Sequence, residues 1–413
     1  MRITVEEHLA WILAAIEPLP KREAPVRDAH GLTLAETVRA RYALPLWHNS
    51  AMDGYALHSA DVAAASGATP VELRVIGEVP AGSAADPAIA PGSAVRIMTG
   101  APVPSDADTV VPVESTRGER PEDPWADRTV RILVAAPAGA NIRRRGEDVA
   151  EGSVIARTGQ SLGAARLAAL AAAGADQVVV RERPRVAVLA TGSELRGAGE
   201  GLERGQIPES NSLLIAGLLR ELGIEPVEVR RSADDAASLA RQLRDLGSRC
   251  DVIVTTGGVG PGRHDVVRIA LKAEPEVRAV RVAVRPGQPQ CAGRLSSGAF
   301  VFALPGNPVS AAVSFELFVR PALLAVQGRS EVHRLRQPAR AAAPWRGAVG
   351  RLQVLPVVVT EDAAGLLCTP AVDPSGVSHA VGGHGGANGY ALVVADRGDV
   401  AAGETVPVIL VAS

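Results

Sequence analysis

Apolar and polar residues follow one another along this chain in distinct textures. Residues 1–45 read as a helix followed by a short extended segment. Between 46 and 136 the apolar runs are short and broken by Gly and Pro, as in VELRVIGEVPAGS and GSAVRIMTGAPVP. That texture predicts a small β-rich module. A strand-and-helix pattern returns over 137–184, where NIRRRGEDVAEGSVIARTG precedes the Ala-rich LGAARLAALAAAG. The β module is therefore expected as an insertion between two halves of one domain.

From 185 onward, apolar runs and amphipathic segments alternate. Val186-Ala187-Val188-Leu189 reads as a buried strand, and SNSLLIAGLLRELG at 210–223 as a helix ended by Gly223. A strand near 226–230, a helix over 234–246, a strand at 251–256 and a helix from about 264 follow. The Arg/Val-alternating VRAVRVAVRP precedes one more buried strand, Phe300 to Leu304. Strands alternating with helices predict a parallel sheet covered on both faces. The tail is β again, with RLQVLPVVV, YALVVA and TVPVILV separated by Gly-rich turns. The expected units are 1–45 with 137–184, then 46–136, 185–330 and 331–413.

Three strands of the 185–330 unit end in glycine turns: LATGSEL at 189–195, TTGGVGPG at 255–262 and ALPGNPVS at 303–310. Ligands of open α/β sheets sit beyond the carboxyl ends of the strands. Thr191, Gly192, Gly257, Gly258, Gly260, Gly262, Pro305, Gly306 and Asn307 are thus expected around one site. Asn307 is placed to cap the helix begun by Pro308, whose free N–H groups would face an anion. The glycine loop has neither the Gly-Lys-Ser/Thr of a nucleotide P-loop nor the Rossmann spacing. A plain tight turn between strand and helix stays open.

Two acids change the picture. Glu194 lies two residues after Gly192, and Asp265 follows Gly262. Either alone reads as a helix N-terminal acid favoured by the macrodipole. Together at a phosphate-type sheet edge they point to a cation, because Mg²⁺ is typically held by one or two carboxylates plus substrate phosphates. The expected occupant is a pyrophosphate-like anion bridged to Glu194 and Asp265 by Mg²⁺.

Composition narrows the class. A net charge of −2 leaves no electrostatic footprint for nucleic acid. No uninterrupted apolar stretch approaches the roughly 18 residues of a membrane span, so no membrane insertion is expected. The first residues carry acids where a signal peptide needs a basic flank. Cys250, Cys291 and Cys368 match no zinc or disulfide spacing, which points to a reducing cytoplasm. Lysine occurs only at positions 21 and 272, so arginine is expected where anion chemistry elsewhere uses lysine.

The chain as a whole resembles the MoeA family of molybdopterin molybdenumtransferases and the E domain of gephyrin. The carriers are HNSAMDGYAL (48–57), VRIMTGAPVPSDADTVVPVE (95–114), NIRRRGEDVAEG (141–152), LATGSEL, TTGGVGPGRHD (255–265), RPGQP (285–289) and LPGNPVSA (304–311). The resemblance implies a multidomain α/β subunit: a molybdopterin-binding three-layer α/β domain, an inserted β-rich domain, an elongated helical and extended domain, and a C-terminal β-barrel-like domain. It implies a homodimer with shared sites, and insertion of molybdate into adenylylated molybdopterin with Mg²⁺-dependent release of AMP. Asp53, Thr99, Gly100 and Asp148 fall on its active-site positions outside the α/β domain, and Glu194, Asp234 and Asp265 on acidic positions within it. Arg143 and Arg145 would balance the charge of molybdate held by Thr99. Arg285 and Gln288 of RPGQP fall on an anion site. Asp53 before Gly54 also reads as a turn residue, and Asp148 as an ion-pair partner of Arg143 or Arg145.

The sequence departs from the family pattern at three places. GGVGPG stands for GGVSVG, losing a hydroxyl at Gly260 and an N–H at Pro261. Gln288 replaces a lysine, and Ser193 replaces the acid of TGDEL. Two other functions compete with the insertase: adenylyl transfer to molybdopterin, and a gephyrin-like scaffold that binds a protein partner.

Overall fold

The computed structural model describes residues 2–118, 125–260 and 265–411; Pro261 and Gly262 of the glycine loop lie outside the described residues. The α/β sheet has six strands in the order Glu228–Ser232, Val186–Thr191, Val252–Thr256, Phe300–Leu304, Pro289–Arg294, Glu276–Arg281. The first four are parallel, whereas the last two join antiparallel. Alternate residues of these strands serve two separate cores. Val186, Val188, Val252, Val254, Phe300 and Phe302 face one, and Ala187, Leu189, Ile253, Val301 and Ala303 the other. A period of two with both faces apolar is what a doubly covered sheet requires.

The two segments flanking the β module pair with each other. Lys21–Pro25 and Thr33–Leu34 flank Gln177–Arg181, while Val38–Arg39 pairs with Val154–Ala156. Between them lies a second six-stranded sheet built from strands of 54–132. Near the C-terminus, Leu352–Asp362 pairs with both Gly365–Pro370 and Gly389–Val393, which closes a five-stranded ring through Gln337–Ala341 and Thr405–Leu410. Closure removes exposed strand edges.

One helical rod joins the α/β sheet to the C-terminal ring. Pro308–Val326 is among the described residues the single helix long and apolar enough to cross a membrane, but it lies buried within the fold. Its middle turn, Phe315–Val319, is π-helical. Against it packs the N-terminal helix Val5–Ala15, started by a capping box: the Thr4 hydroxyl accepts from Glu7 N (3.0 Å) and Glu7 Oε2 from Thr4 N (2.7 Å). His8 of that helix is buried against Phe318 and Trp11, and burial lowers its pKa to about 4.

Gly54 marks where the inserted sheet tolerates no side chain. A Cβ there would run into the carbonyl oxygen of Val111 on the neighbouring strand. Gly54→Ala is expected to destabilise the protein by about 1–3 kcal/mol through overpacking; urea denaturation of the two proteins measures it.

Candidate active site

The chain places Val186–Thr191 first, then adds Glu228–Ser232 on one side and Val252–Thr256 on the other. That reversal makes the ends of Val186–Thr191 and Val252–Thr256 a topological switch point, where open α/β sheets bind ligands. A cavity of about 710 Å³ lies there. It brings together all three glycine turns: Thr191, Gly192 and Glu194; Gly257, Gly258, Gly260 and Asp265; Pro305, Gly306 and Asn307. Asp234 lines it as well.

Local bonding explains the shape. The Thr191 hydroxyl donates to Thr256 O (3.0 Å), which ties the first two turns together. Gly257 has φ +92°, and a Cβ on it would stand 2.5 Å from Thr191 O, so only glycine fits. Ser193 N donates to Asp234 Oδ2 (2.9 Å), while Asp234 N donates to the Ser193 hydroxyl (3.1 Å). An acid at 193 would face Asp234 with like charge, so serine here makes a reciprocal bond where an acid would repel. Gly260 has a comparable explanation: a Cβ would lie 3.1 Å from Asp265 Oδ2, so the glycine leaves that carboxylate room.

Asn307 sits at the expected N-cap, but its side chain makes no capping bond. The PGNP turn is instead held from outside, by Asn211 Nδ2 donating to Gly306 O (2.7 Å). The cavity also recruits residues that sequence reasoning missed. Glu209 is buried and accepts from Ser212 N (2.8 Å) and from the Ser212 hydroxyl, bracing the start of the helix Asn211–Glu221. His379 and Val381 reach the cavity from the C-terminal region, for which no local sequence signal exists.

The other expected residues lie elsewhere. Arg285 and Gln288 do not line this cavity; with Ser310, Arg351, Ser375 and Ser378 they line a separate cleft of about 180 Å³. The cause is the strand Val284–Arg285, which leaves the α/β sheet and pairs parallel with Leu352–Gln353 of the C-terminal ring. Arg285 Nη2 donates to Ser375 O (2.9 Å). Burial, with the like charges of Arg285 and Arg2, holds the Arg351 guanidinium below its ordinary pKa.

A third constellation gathers around Asn49–Ser50. This short strand pairs with Ile142–Arg143, bridges Pro102, and accepts Gly100 N on Ser50 O (2.8 Å). It thereby collects Asp53, Thr99, Gly100, Arg143, Arg145 and Asp148, all exposed and none lining the α/β cavity. Asp53 is no simple turn residue: its Oδ1 accepts from both Thr99 N and the Thr99 hydroxyl, each at 2.7 Å. Arg145 pairs with Glu151 (2.9 Å), and among the described residues Asp148 forms no ion pair.

Hydrogen bonding from the Thr99 N–H, and then from its hydroxyl, holds the Asp53 carboxyl below the usual aspartate range. A depressed pKa favours the folded state above the unfolded value, and that contribution is lost as pH falls through the folded one. In Thr99→Val the backbone donor remains. The Asp53 pKa, followed by carboxyl NMR titration, is expected to rise only part of the way to the ordinary value.

Comparison with known proteins identifies the family. Three family descriptions match in order: MoeA N-terminal region, domain I and II, over residues 3–174; probable molybdopterin binding domain over 187–325; and MoeA C-terminal region, domain IV, over 338–411. The chain is 38% identical over 411 residues to molybdopterin molybdenumtransferase 2 of Mycobacterium tuberculosis, covering 97% of both chains. It is 35% identical over 331 residues to the molybdopterin molybdenumtransferase of Staphylococcus aureus, covering 80% of this chain and 77% of that one. A crystal structure of the molybdopterin biosynthesis MoeA protein of Pyrococcus horikoshii superposes with a TM-score of 0.78 at 30% identity, covering 99% of each chain. With its fold, its order of regions and its full-length relatives in agreement, the chain belongs to the MoeA family.

Proposed function

We propose that this chain is a molybdopterin molybdenumtransferase that inserts molybdate into adenylylated molybdopterin and releases AMP in a Mg²⁺-dependent step. The observation that carries this reading is the charge of the α/β cavity. Glu194, Glu209, Asp234 and Asp265 line it, and among the described lining residues there is no lysine or arginine. A glycine-turn floor suited to phosphate, walled by carboxylates, accepts a pyrophosphate only together with a cation.

The residues fit that cation as a site completed by substrate. Among the described residues no three Asp, Glu, His or Cys side chains form a metal cage. Glu194 and Asp265 would supply two carboxylates, which is how Mg²⁺ is usually held when phosphates provide the other ligands. Bound there, Mg²⁺ would withdraw charge from the phosphoanhydride. The protein's own part is positional. Asp234 fixes the turn bearing Glu194, Asn211 fixes the PGNP turn, and Gly260 leaves Asp265 free of crowding.

For molybdate, the Arg285–Arg351 cleft is the better-suited holder. It is small and lined by serine hydroxyls and two guanidiniums, a donor set that suits a tetrahedral oxyanion. The Thr99 hydroxyl donates its proton to Asp53, so it does not serve molybdate as a donor in this arrangement. Asp53 and Thr99 would instead act on the cavity of a second subunit. Exposed Leu46, Trp47 and Met52 beside them supply apolar surface for such a homodimer. Three buried, unpaired cysteines accord with a reducing cytoplasm. The scaffold reading draws no support from the relatives, since those aligned over nearly the whole chain carry transferase names.

Asp265→Asn and Glu194→Gln are expected to abolish AMP release from adenylylated molybdopterin in the presence of Mg²⁺ and molybdate. Both lie on the cavity rim rather than in a core, so stability should change by no more than about 1 kcal/mol. Wild-type turnover in either variant would remove the acids from the reaction.

The shared-site arrangement makes a separate prediction. Asp53→Ala and Asp265→Ala proteins, each inactive alone, should recover activity when mixed, because a heterodimer holds one site free of both changes. Subunit exchange without recovery, or a monomer by light scattering, would refute it.

A further inference from the structure

Beside the middle of the buried rod lies a cavity of about 400 Å³ that belongs to none of the sites above. It sits where the N-terminal helix, the π-helical turn, the connector 332–336 and the C-terminal ring converge. Its apolar wall includes Val5, Leu9, Leu317, Leu392 and Ile409. Its polar wall carries Arg320, Arg334, Arg336 and His333 against Glu316, with exposed Glu6 on the N-terminal helix.

The charges do not balance. Glu316 is 8% exposed and accepts from Arg334 Nε at 2.9 Å. Arg320, whose side chain is 14% exposed, stands 3.9 Å from the same carboxylate oxygen, beyond hydrogen-bond reach. Its Nη1 donates to Val332 O (3.1 Å), but its Nε is buried with no partner. Two largely buried guanidiniums therefore share one carboxylate. A buried charge without its counterpart is costly, whereas a second carboxylate would complete a two-to-two arrangement. Burial pushes the Glu316 carboxyl up and the Arg320 guanidinium down. The π-helical turn that carries Glu316 is a distortion frequent at functional sites.

We propose that this cavity binds a small organic carboxylate with a short apolar tail. The carboxylate pairs with Arg320 and Arg334, and the tail lies along Val5, Leu9 and Leu317. Such a ligand would fasten the N-terminal helix and the C-terminal ring to the middle of the rod whose first residue, Pro308, lines the active cavity. Because the proposal needs no substrate, it stands or falls separately from the insertase reading.

The test is calorimetric titration of the whole protein with hexanoate, 1-hexanol and acetate. Hexanoate should bind saturably at one site, and the alcohol and acetate each at least about tenfold more weakly, since one lacks the charge and the other the tail. Arg320→Met should weaken hexanoate by about tenfold or more. Should that variant fail to fold by circular dichroism, Leu9→Trp decides, because it fills the apolar side and leaves the arginines in place; it should lose affinity equally. No saturable hexanoate binding, acetate binding as tight as hexanoate, or undiminished binding in the folded variants would overturn the proposal.

Discussion

A phosphate dianion and a carboxylate cannot share a small cavity unless something positive stands between them. At about 4 Å, two unit charges repel by several kcal/mol even at the effective dielectric of a protein surface. The α/β cavity is built on that constraint. Its floor of glycine turns suits phosphate, and its rim carries Glu194, Asp234 and Asp265 with no guanidinium among the described lining residues. Positive charge is concentrated instead in the Arg285–Arg351 cleft, which is walled separately. Among the described residues the acidic rim is thus set apart from that guanidinium pair.

The convergence of the three glycine turns was legible because sheet geometry enforces it. Parallel strands carry all their carboxyl ends to one edge, so TGSEL, TTGG and PGNP had to meet. The acids were legible for the same reason. Asp234 carried no motif of its own, yet its bonds to Ser193 draw it to the same rim. That link is long-range and depends on which strand neighbours which. Local spacing contains no trace of it.

At two turns, tertiary pairing overrides local logic. RPGQP follows an α/β segment, but Val284–Arg285 finds a better ladder on Leu352 and carries Arg285 and Gln288 into another cleft. Asn307 occupies a capping position, yet the turn is held by an amide from a different helix. Both choices satisfy backbone groups through distant partners, and a single sequence gives no view of those. The expected parallel sheet gains an edge that alternation of strands and helices does not announce: Pro289–Arg294 and Glu276–Arg281 join antiparallel, a return that needs no crossover helix.

The departures from the family pattern acquire physical reasons once neighbours are known. Ser193 converts a like-charge contact with Asp234 into a reciprocal hydrogen bond, and Gly260 gives Asp265 its space. Both changes fall beside acids proposed to bear on the phosphoanhydride, and both leave those carboxylates on the cavity rim. Gln288 falls in the guanidinium cleft, where burial and the like charges of Arg285 and the nearby Arg2 already lower the affinity of Arg351 for its proton. A further cation there would deepen that repulsion whenever the cleft is empty, and a neutral amide avoids it. The substitutions thus follow the division of charge between the two sites: acids given room at one, positive charge held to what the other can bear. A pocket released from selection for anion chemistry has no reason to preserve that division, which is why these departures sit more naturally with a working enzyme than with a retired one.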